Sequence, residues 1–149
     1  MMKNLDIERI GLAAMSLGIA RACLDHSLKY AQERQQFGES IINFQSVSEK
    51  IANMYTLLNA SRTYLYTTAM NCDCGKIRAK DAASALLFAS ENATQIALQT
   101  IQCLGGNGYI NEFPAGRLLR DAKLYEIGAG TTEIRRLIIA RELLREVQT

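Results

Sequence analysis

The sequence predicts an all-α fold, an antiparallel up-and-down bundle of the four-helix type. Long segments in which apolar residues recur at helical spacing alternate with short glycine turns, and no strand-type alternation persists for more than a few residues. The composition agrees, because the chain has one Pro and no Trp and is rich in Ala and Leu. With 149 residues, 48% of them apolar, the chain can form one domain with a single core.

Glycine stop signals and one capping motif indicate where the helices end and begin. Gly38, Gly75 and Gly105 each follow an apolar helical segment and are expected to end it. Ser46 and Glu49 have the spacing of a capping box at the start of the second helix. The predicted helices cover approximately residues 5–34, 43–72, 80–104, 114–124 and 131–147.

Charge and cysteine spacing exclude several functional classes. The 17 basic and 15 acidic residues are well mixed, with a net charge of +2, so no basic stripe indicates a nucleic-acid partner. No apolar run approaches the roughly 20 residues of a membrane span, and the N-terminus lacks the pattern of a signal peptide. The cysteine spacing fits no metal site, so we expect no metal and interpret the cysteines as reduced thiols. The cysteines are Cys23, Cys72, Cys74 and Cys103.

Two glycine-rich turns are candidates for a binding role. They are Gly105-Gly106-Asn107-Gly108 and Gly128-Ala129-Gly130, and the second leads directly into Thr131-Thr132-Glu133, a sequence that suits a helix start. Glycine lets the backbone approach a bound group and present its N–H donors, and a helix N-terminus behind such a turn favours anions. The alternative is that these glycines only end helices.

A carboxylate falls on the apolar side of the first predicted helix. On a helical wheel its large apolar residues share an arc of roughly 80°, and Glu8 falls inside that arc. A carboxylate on an apolar stripe is costly unless it is paired or protonated, which suits a general base. The alternative is an exposed Glu8 in a frayed first turn, paired with Arg9. The residues of the arc are Leu5, Leu12, Met15, Ile19 and Cys23.

Polar residues near the helix ends form a second group of candidates. Arg34, followed by Phe37 and Gly38, would place a guanidinium where it could bind a phosphate or pyrophosphate. The alternative is an arginine that only complements the helix dipole. Gln45 begins the next helix, and Gln102 precedes the first glycine turn.

Taken in chain order, these residues resemble one known family. The candidate residues from Glu8 to Gln102 are followed by residues 120–123 (RDAK) and by Gly130-Thr131. In this order they closely resemble the C-terminal domain of the acyl-CoA dehydrogenases, and the resemblance covers essentially the whole chain. Within the family, the segments LDIERI, IQCLGGNGYINEFPAGRLLRDAKLYEIGAGT and EIRRLIIAREL are most similar to the isovaleryl-CoA dehydrogenase branch. The resemblance implies a FAD-dependent oxidoreductase that desaturates the α,β bond of an acyl-CoA and passes electrons to an electron-transfer flavoprotein.

The resemblance also implies which carboxylate acts as the base. Most members carry a glutamate immediately before the Gly-Thr of the second turn, where this chain has Ala129. The isovaleryl type uses a glutamate on the first helix, and the matching residue is Glu8. Gly128 and Ala129 are also small, which would leave room for a branched acyl group.

Further site residues follow from the same resemblance. Substrate contacts are implied for Asp6, Ile7, Arg9, Gly128, Ala129 and Gly130. Contacts with the FAD of a neighbouring subunit are implied for Arg34, Gln45, Gln102, Cys103, Leu104, Gly105 and Gly106. Contacts with the FAD of the same active site are implied for Thr131, Thr132 and Glu133. A site shared in this way requires a homo-oligomer, a dimer or a tetramer.

Members of this family have three domains, and residues 1–149 match only the C-terminal one. We therefore expect the N-terminal helical domain and the middle β domain to be absent. We also expect the chain to be inactive on its own. Two alternatives stay open: a non-catalytic helical oligomerisation or interaction module, and a relative similar to the acyl-CoA oxidases. The resemblance implies an intracellular enzyme, cytoplasmic in a bacterium and in the mitochondrial matrix of a eukaryote.

Overall fold

The computed structural model describes residues 2–148, with the side chains of residues 4–148. It confirms the predicted all-α bundle, in which three long helices and a C-terminal pair pack together. Among residues 2–148, no helix is long and apolar enough to cross a membrane. The elements in chain order are α1 (Met2–Glu33), β1 (Gln35–Gln36), β2 (Glu39–Ser40), a 3-10 turn (Ile41–Asn43), α2 (Gln45–Asp73), α3 (Ala79–Leu104), α4 (Gly106–Tyr109), α5 (Ala115–Ile127) and α6 (Thr132–Val147).

The helix α3 lies at the centre of the bundle and contacts α1, α2, α5 and α6. Alanine is the commonest residue at its buried positions, which include Ala89, Ala93 and Ala97, and none of these three is more than 1% exposed. Small side chains at a helix contact let the two helix axes approach closely. Larger residues such as Leu86 and Ile96, both fully buried, fill the remaining space.

The face that α1 turns to the core differs from the predicted one. Met15 is 57% exposed, Leu12 and Ile19 are half-buried, and Glu8 is exposed. Of the two interpretations of Glu8 that the sequence left open, the structure shows the exposed one, although Arg9 pairs with Asp6 and not with Glu8. The buried face combines small residues such as Ala13 and Ala20 with Leu17 and Leu24, and its contact with the alanine-rich α3 decides which side of α1 is covered. The buried residues of α1 are Asp6, Arg9, Ala13, Ser16, Leu17, Ala20, Cys23, Leu24, Ser27 and Ala31.

The capping box predicted at Ser46 and Glu49 is also wrong. Helix α2 begins at Gln45 with Phe44 in the N-cap position, and no side chain caps it. The 3-10 turn leads directly into the helix, since the Phe44 amide donates to the Ile41 carbonyl at 3.1 Å. The helix therefore starts earlier than a box based on Ser46 requires.

A short hairpin between α1 and α2 was not predicted. The strands β1 and β2 pair antiparallel, with Gln36 opposite Glu39. Phe37 (φ 54°) and Gly38 (φ 85°) form its two-residue loop, the positive-φ pattern of a type I′ turn. Gly38 thus lies in a hairpin turn, whereas α1 has already ended at Glu33. Strands of two residues are too short to produce a recognisable alternation.

Polar groups in the core bond to each other between α1 and α3. The Ser27 hydroxyl donates to the Cys23 carbonyl at 2.9 Å, and the Thr100 hydroxyl donates to the same carbonyl at 3.3 Å. Burial raises the pKa of the Cys23 thiol to about 11, which makes it unreactive at neutral pH. All four cysteines are free thiols, as predicted.

Candidate functional site

The first glycine turn borders a cavity of about 390 Å³ at one end of the bundle. Arg34, at the end of α1, lines this cavity together with residues 102–106 at the end of α3. The structure therefore brings together residues that lie about 70 positions apart in the sequence and that the resemblance assigns to one cofactor. Gln45 does not line the cavity, and its side chain is exposed at the start of α2.

The backbone of this turn needs glycine at two positions. Gly105 has φ 60° and ψ −134°, a conformation that side chains with a Cβ rarely adopt. At Gly108, a Cβ would lie 2.6 Å from the Ile101 carbonyl oxygen, so a side chain would force the backbone apart. The turn is fixed from outside as well, because the Asn107 amide donates to the Tyr30 hydroxyl at 2.9 Å.

The predicted cofactor residues around this cavity differ in their exposure to solvent. Arg34, Gln102, Gly105 and Gly106 are exposed. The Gly105 amide donates to the Ile101 carbonyl at 2.9 Å, so the donors open to a bound anion are the Arg34 guanidinium, the Gln102 amide and the Gly106 backbone N–H. Cys103 and Leu104 are buried, so only their backbone can face a ligand. Burial also raises the pKa of the Cys103 thiol.

The second glycine turn joins α5 to α6 and is held in an unusual conformation. Ala129 has φ 53°, in the left-handed region that non-glycine residues rarely adopt, and Gly130 has φ 96°. Gly128 closes the last turn of α5, since its amide donates to the Leu124 carbonyl at 2.8 Å. All three residues of the turn are half-buried.

A buried arginine that the sequence analysis did not identify holds this turn. Arg135 is 0% exposed, and its Nη2 donates to the carbonyl oxygens of Tyr125 and Gly128, each at 2.6 Å. Its Nη1 donates to the Ser90 hydroxyl of α3 at 3.0 Å. Desolvation, reinforced by the nearby Arg9, lowers the pKa of Arg135. A helical wheel of α6 would have placed this arginine on the same side as the buried Thr132.

Near the start of α1, Arg9 acts electrostatically on Arg135 and helps to lower its pKa. Arg9 and Asp6 form a buried ion pair at 2.8 Å. Their charged groups are therefore engaged with each other, whereas the side chains of Ile7 and Glu8 on the same helical turn are exposed. The implied substrate residues of α1 thus divide into an inward pair and an outward pair.

The helix start at Thr131-Thr132-Glu133 forms as predicted, but without the expected N-cap. Helix α6 begins at Thr132, and the side chain of Thr131, at the N-cap position, accepts no hydrogen bond from a backbone amide of the helix. The Thr132 hydroxyl donates to the Glu133 carboxylate at 3.1 Å. Hydrogen bonds from the Glu133 amide and from the two threonine hydroxyls lower the pKa of Glu133.

The chain matches a known protein family over nearly its whole length. The model described as acyl-CoA dehydrogenase, C-terminal domain, matches residues 1–144. The chain is 60% identical over 146 residues to mitochondrial isovaleryl-CoA dehydrogenase of Oryza sativa subsp. japonica, a match that covers 98% of this chain and 36% of that protein.

Solved structures share the fold closely. Butyryl-CoA dehydrogenase from Megasphaera elsdenii has a TM-score of 0.94 at 40% identity, covering 96% of this chain and 37% of that one. A structure of the electron transferring flavoprotein of Acidaminococcus fermentans also has a TM-score of 0.94, at 42% identity, covering 97% of this chain and 38% of that one. The chain thus spans about a third of the length of the relatives that it matches.

Proposed function

This chain belongs to the acyl-CoA dehydrogenase family, and from that premise we propose that residues 1–149 act as the C-terminal helical domain of a longer FAD-dependent enzyme. The enzyme would desaturate a short branched acyl-CoA of the isovaleryl type. An N-terminal helical domain and a middle β domain would supply the rest of the active site, because the chain spans about a third of its relatives' length. One observation carries the proposal: the turn 128–130 has no carboxylate, whereas Glu8 is exposed near the start of α1.

The residues around the first glycine turn fit part of a FAD molecule, the cofactor of the family's flavoproteins. Arg34, Gln102 and the backbone N–H of Gly106 would form a donor set suited to a pyrophosphate. A Cβ built at Gly105 or Gly106 meets nothing within 4 Å, so the backbone borders open space. The cavity volume of about 390 Å³ suits a portion of a dinucleotide. Gln45 would add to this site, and Thr131, Thr132 and Glu133 would contact the FAD of their own active site.

In the reaction, the substrate loses one hydrogen from each of two adjacent carbons. Bound FAD supplies the acceptor for the hydride from the β carbon. The Glu8 carboxylate would accept the α proton, and the remaining electron pair forms the α,β double bond. Because an α proton beside a thioester is only weakly acidic, the base needs a site from which water is excluded. Glu8, which is exposed here, would be shielded from water when the remaining domains cover the start of α1.

The second turn supports a branched substrate. Gly128 and Ala129 place no large side chain beside the reacting carbons, so the isovaleryl branch would have room there. Gly130 and Ile7 would line the same pocket. The ion pair of Asp6 and Arg9 would fix the helical turn that carries Glu8.

The likeness to the relatives also supports a set of partners and a location. An electron-transfer flavoprotein would reoxidise the reduced enzyme, and a neighbouring subunit would share its FAD with residues 102–106, which requires a dimer or a tetramer. The enzyme would be intracellular, in the mitochondrial matrix of a eukaryote or the cytoplasm of a bacterium. The Oryza relative carries the word mitochondrial in its description.

The test is dye reduction driven by isovaleryl-CoA, measured with FAD content in the enzyme that contains this chain. We expect Glu8→Gln to keep its FAD and to lose about 100- to 10 000-fold in reduction rate, the range for a lost general base. Glu33→Gln is the matched control, because Glu33 is an exposed carboxylate on the same helix, and it should reduce dye normally. Normal reduction by Glu8→Gln would show that the base lies elsewhere.

The same experiment distinguishes the alternatives. A relative similar to the acyl-CoA oxidases would be reduced by acyl-CoA but would form peroxide with oxygen. A helical oligomerisation module would bind no FAD and reduce no dye. We expect residues 1–149 alone to be inactive, and turnover by this chain with stoichiometric FAD would contradict the need for further domains.

A further inference from the structure

Arg135 is the largest fully buried side chain among the described residues. In that part of the chain it forms no ion pair, and the partners of its guanidinium are two backbone carbonyls and a hydroxyl. Its Nε atom is buried without a partner. Burying a charge without a counter-ion is unfavourable. A buried guanidinium at this position therefore indicates that Arg135 has a specific role.

The guanidinium connects three parts of the structure. One nitrogen binds the Tyr125 carbonyl in the last turn of α5 and the Gly128 carbonyl in the second glycine turn. The other binds Ser90, which is fully buried in the central helix α3. A cation at the C-terminal end of a helix also stabilises the helix dipole. The turn is therefore tied to the central helix of the bundle.

This connection accounts for the strained backbone that follows Gly128. Ala129 adopts φ 53°, and a non-glycine residue keeps such a conformation only where its surroundings fix it. Arg135 fixes the carbonyl of the residue immediately before Ala129. Arginine suits this task because its planar fork offers several donors in fixed directions, whereas a lysine ammonium is a single point on a flexible stem.

We propose that Arg135 is a positioning residue that sets the shape of the turn 128–130 and thereby the acyl selectivity of the site. The proposal rests on the proposed function, in which this turn lines the pocket of the acyl group. Arg135 itself is inaccessible to substrate, so it acts through the backbone of Gly128 and Ala129. Loss of its fork would let the turn relax into the space meant for the branched chain.

The test compares Arg135→Lys with Arg136→Lys in the enzyme that contains this chain. Arg136 is the matched control, because it is the adjacent arginine and lies at the surface in an ion pair with Glu91. The readouts are FAD content, thermal midpoint, and kcat/KM for isovaleryl-CoA and for butyryl-CoA. We expect Arg135→Lys to keep its FAD and to lose about tenfold in the isovaleryl-to-butyryl ratio, because small misplacements carry large rate costs. Arg136→Lys should leave the ratio unchanged.

A lower thermal midpoint with an unchanged ratio would overturn the proposal, since a purely structural arginine produces that result. If Arg135→Lys does not fold, Ser90→Ala takes its place. Among the hydrogen bonds of Arg135, this substitution removes only the one to α3. A shift of the ratio in the same direction supports the proposal, and an unchanged ratio overturns it.

Failure of the proposed function would be visible separately, as wild-type enzyme that oxidises neither thioester. The positioning role is then tested by amide hydrogen exchange in residues 1–149. We expect Arg135→Lys to lose protection at Gly128, whose amide bonds to Leu124, and to keep it at Gly108. Unchanged protection at Gly128 would overturn the positioning role.

Discussion

Glu8 and Arg9 are neighbours in α1 and lie in opposite environments. Arg9 is 5% exposed and bonds to Asp6, whereas Glu8 is exposed. The buried pair anchors the first part of the helix, and among the residues that the structure describes the Glu8 carboxylate has no hydrogen-bond or ion-pair partner. Arg135 shows the complementary case, in which a buried charge acts only through the backbone atoms that it holds.

Cys23 gives a prediction at the same scale, concerning pH. Its pKa rises from 9.0 to about 11 on folding, so between these values the unfolded state has lost the proton while the folded state keeps it. The unfolding free energy should therefore fall as the pH rises through this window, by up to about 2 to 3 kcal/mol. Urea denaturation at about pH 8 and about pH 11 measures this fall.

Two variants isolate the contribution of this thiol. Cys23→Ala should have a smaller fall in stability over the same pH interval than the wild type. Cys74→Ala is the control, because Cys74 is an exposed thiol, and it should follow the wild type. An identical pH dependence of Cys23→Ala and wild type would contradict the assignment to Cys23.

At the scale of the elements, the sequence predicted the helices better than their faces. The existence of α2, α3 and α6 followed from helical spacing and glycine stops. The buried face of α1 did not, because the prediction gave weight to large residues such as Met15, whereas Ala13 and Ala20 make the contact with an alanine-rich partner. Which face of a helix is buried depends on the helices that pack against it. The sequence of one helix alone does not contain that information.

Glycines in two elements should respond oppositely to alanine. In Gly108→Ala, the new Cβ would lie 2.6 Å from a backbone oxygen of Ile101, and we expect a loss of about 1 to 3 kcal/mol in unfolding free energy. In Gly18→Ala, the Cβ meets nothing within 4 Å on the exposed side of α1, and we expect a gain of about 0.5 to 1 kcal/mol. Thermal denaturation of both variants measures the difference. Shifts of the same sign in the two variants would contradict the close packing of Gly108 against the Ile101 backbone.

At the scale of the whole molecule, the site is assembled from elements distant in sequence. The resemblance predicted that Arg34 and residues 102–106 serve one cofactor, and the cavity between α1 and α3 brings them together. Arg135 was missed although it lies in the segment EIRRLIIAREL, because its role depends on Tyr125, Gly128 and Ser90, which only the fold brings near it.

Exposed apolar side chains predict association of residues 1–149. Tyr55, Tyr66 and Met70 lie on one side of α2 and are each more than 60% exposed. Apolar surface of this kind is typical of a face that is covered in an assembly. We expect analytical ultracentrifugation to show a dimer or a larger species that Tyr66→Lys weakens, whereas Gln32→Lys, at an exposed site on α1, leaves it intact. A monomer at every concentration tested would contradict this expectation.

The central claim is that Glu8 removes the α proton, and anaerobic single-turnover flavin reduction tests it most directly. The enzyme that contains this chain is mixed with isovaleryl-CoA, and loss of the oxidised flavin absorbance is followed for wild type, Glu8→Gln and Glu33→Gln. We predict that Glu8→Gln binds flavin and substrate but is reduced about 100-fold or more slowly, while Glu33→Gln follows the wild type. Reduction of Glu8→Gln at the wild-type rate would contradict the claim and leave this domain the role of a scaffold that holds the cofactor.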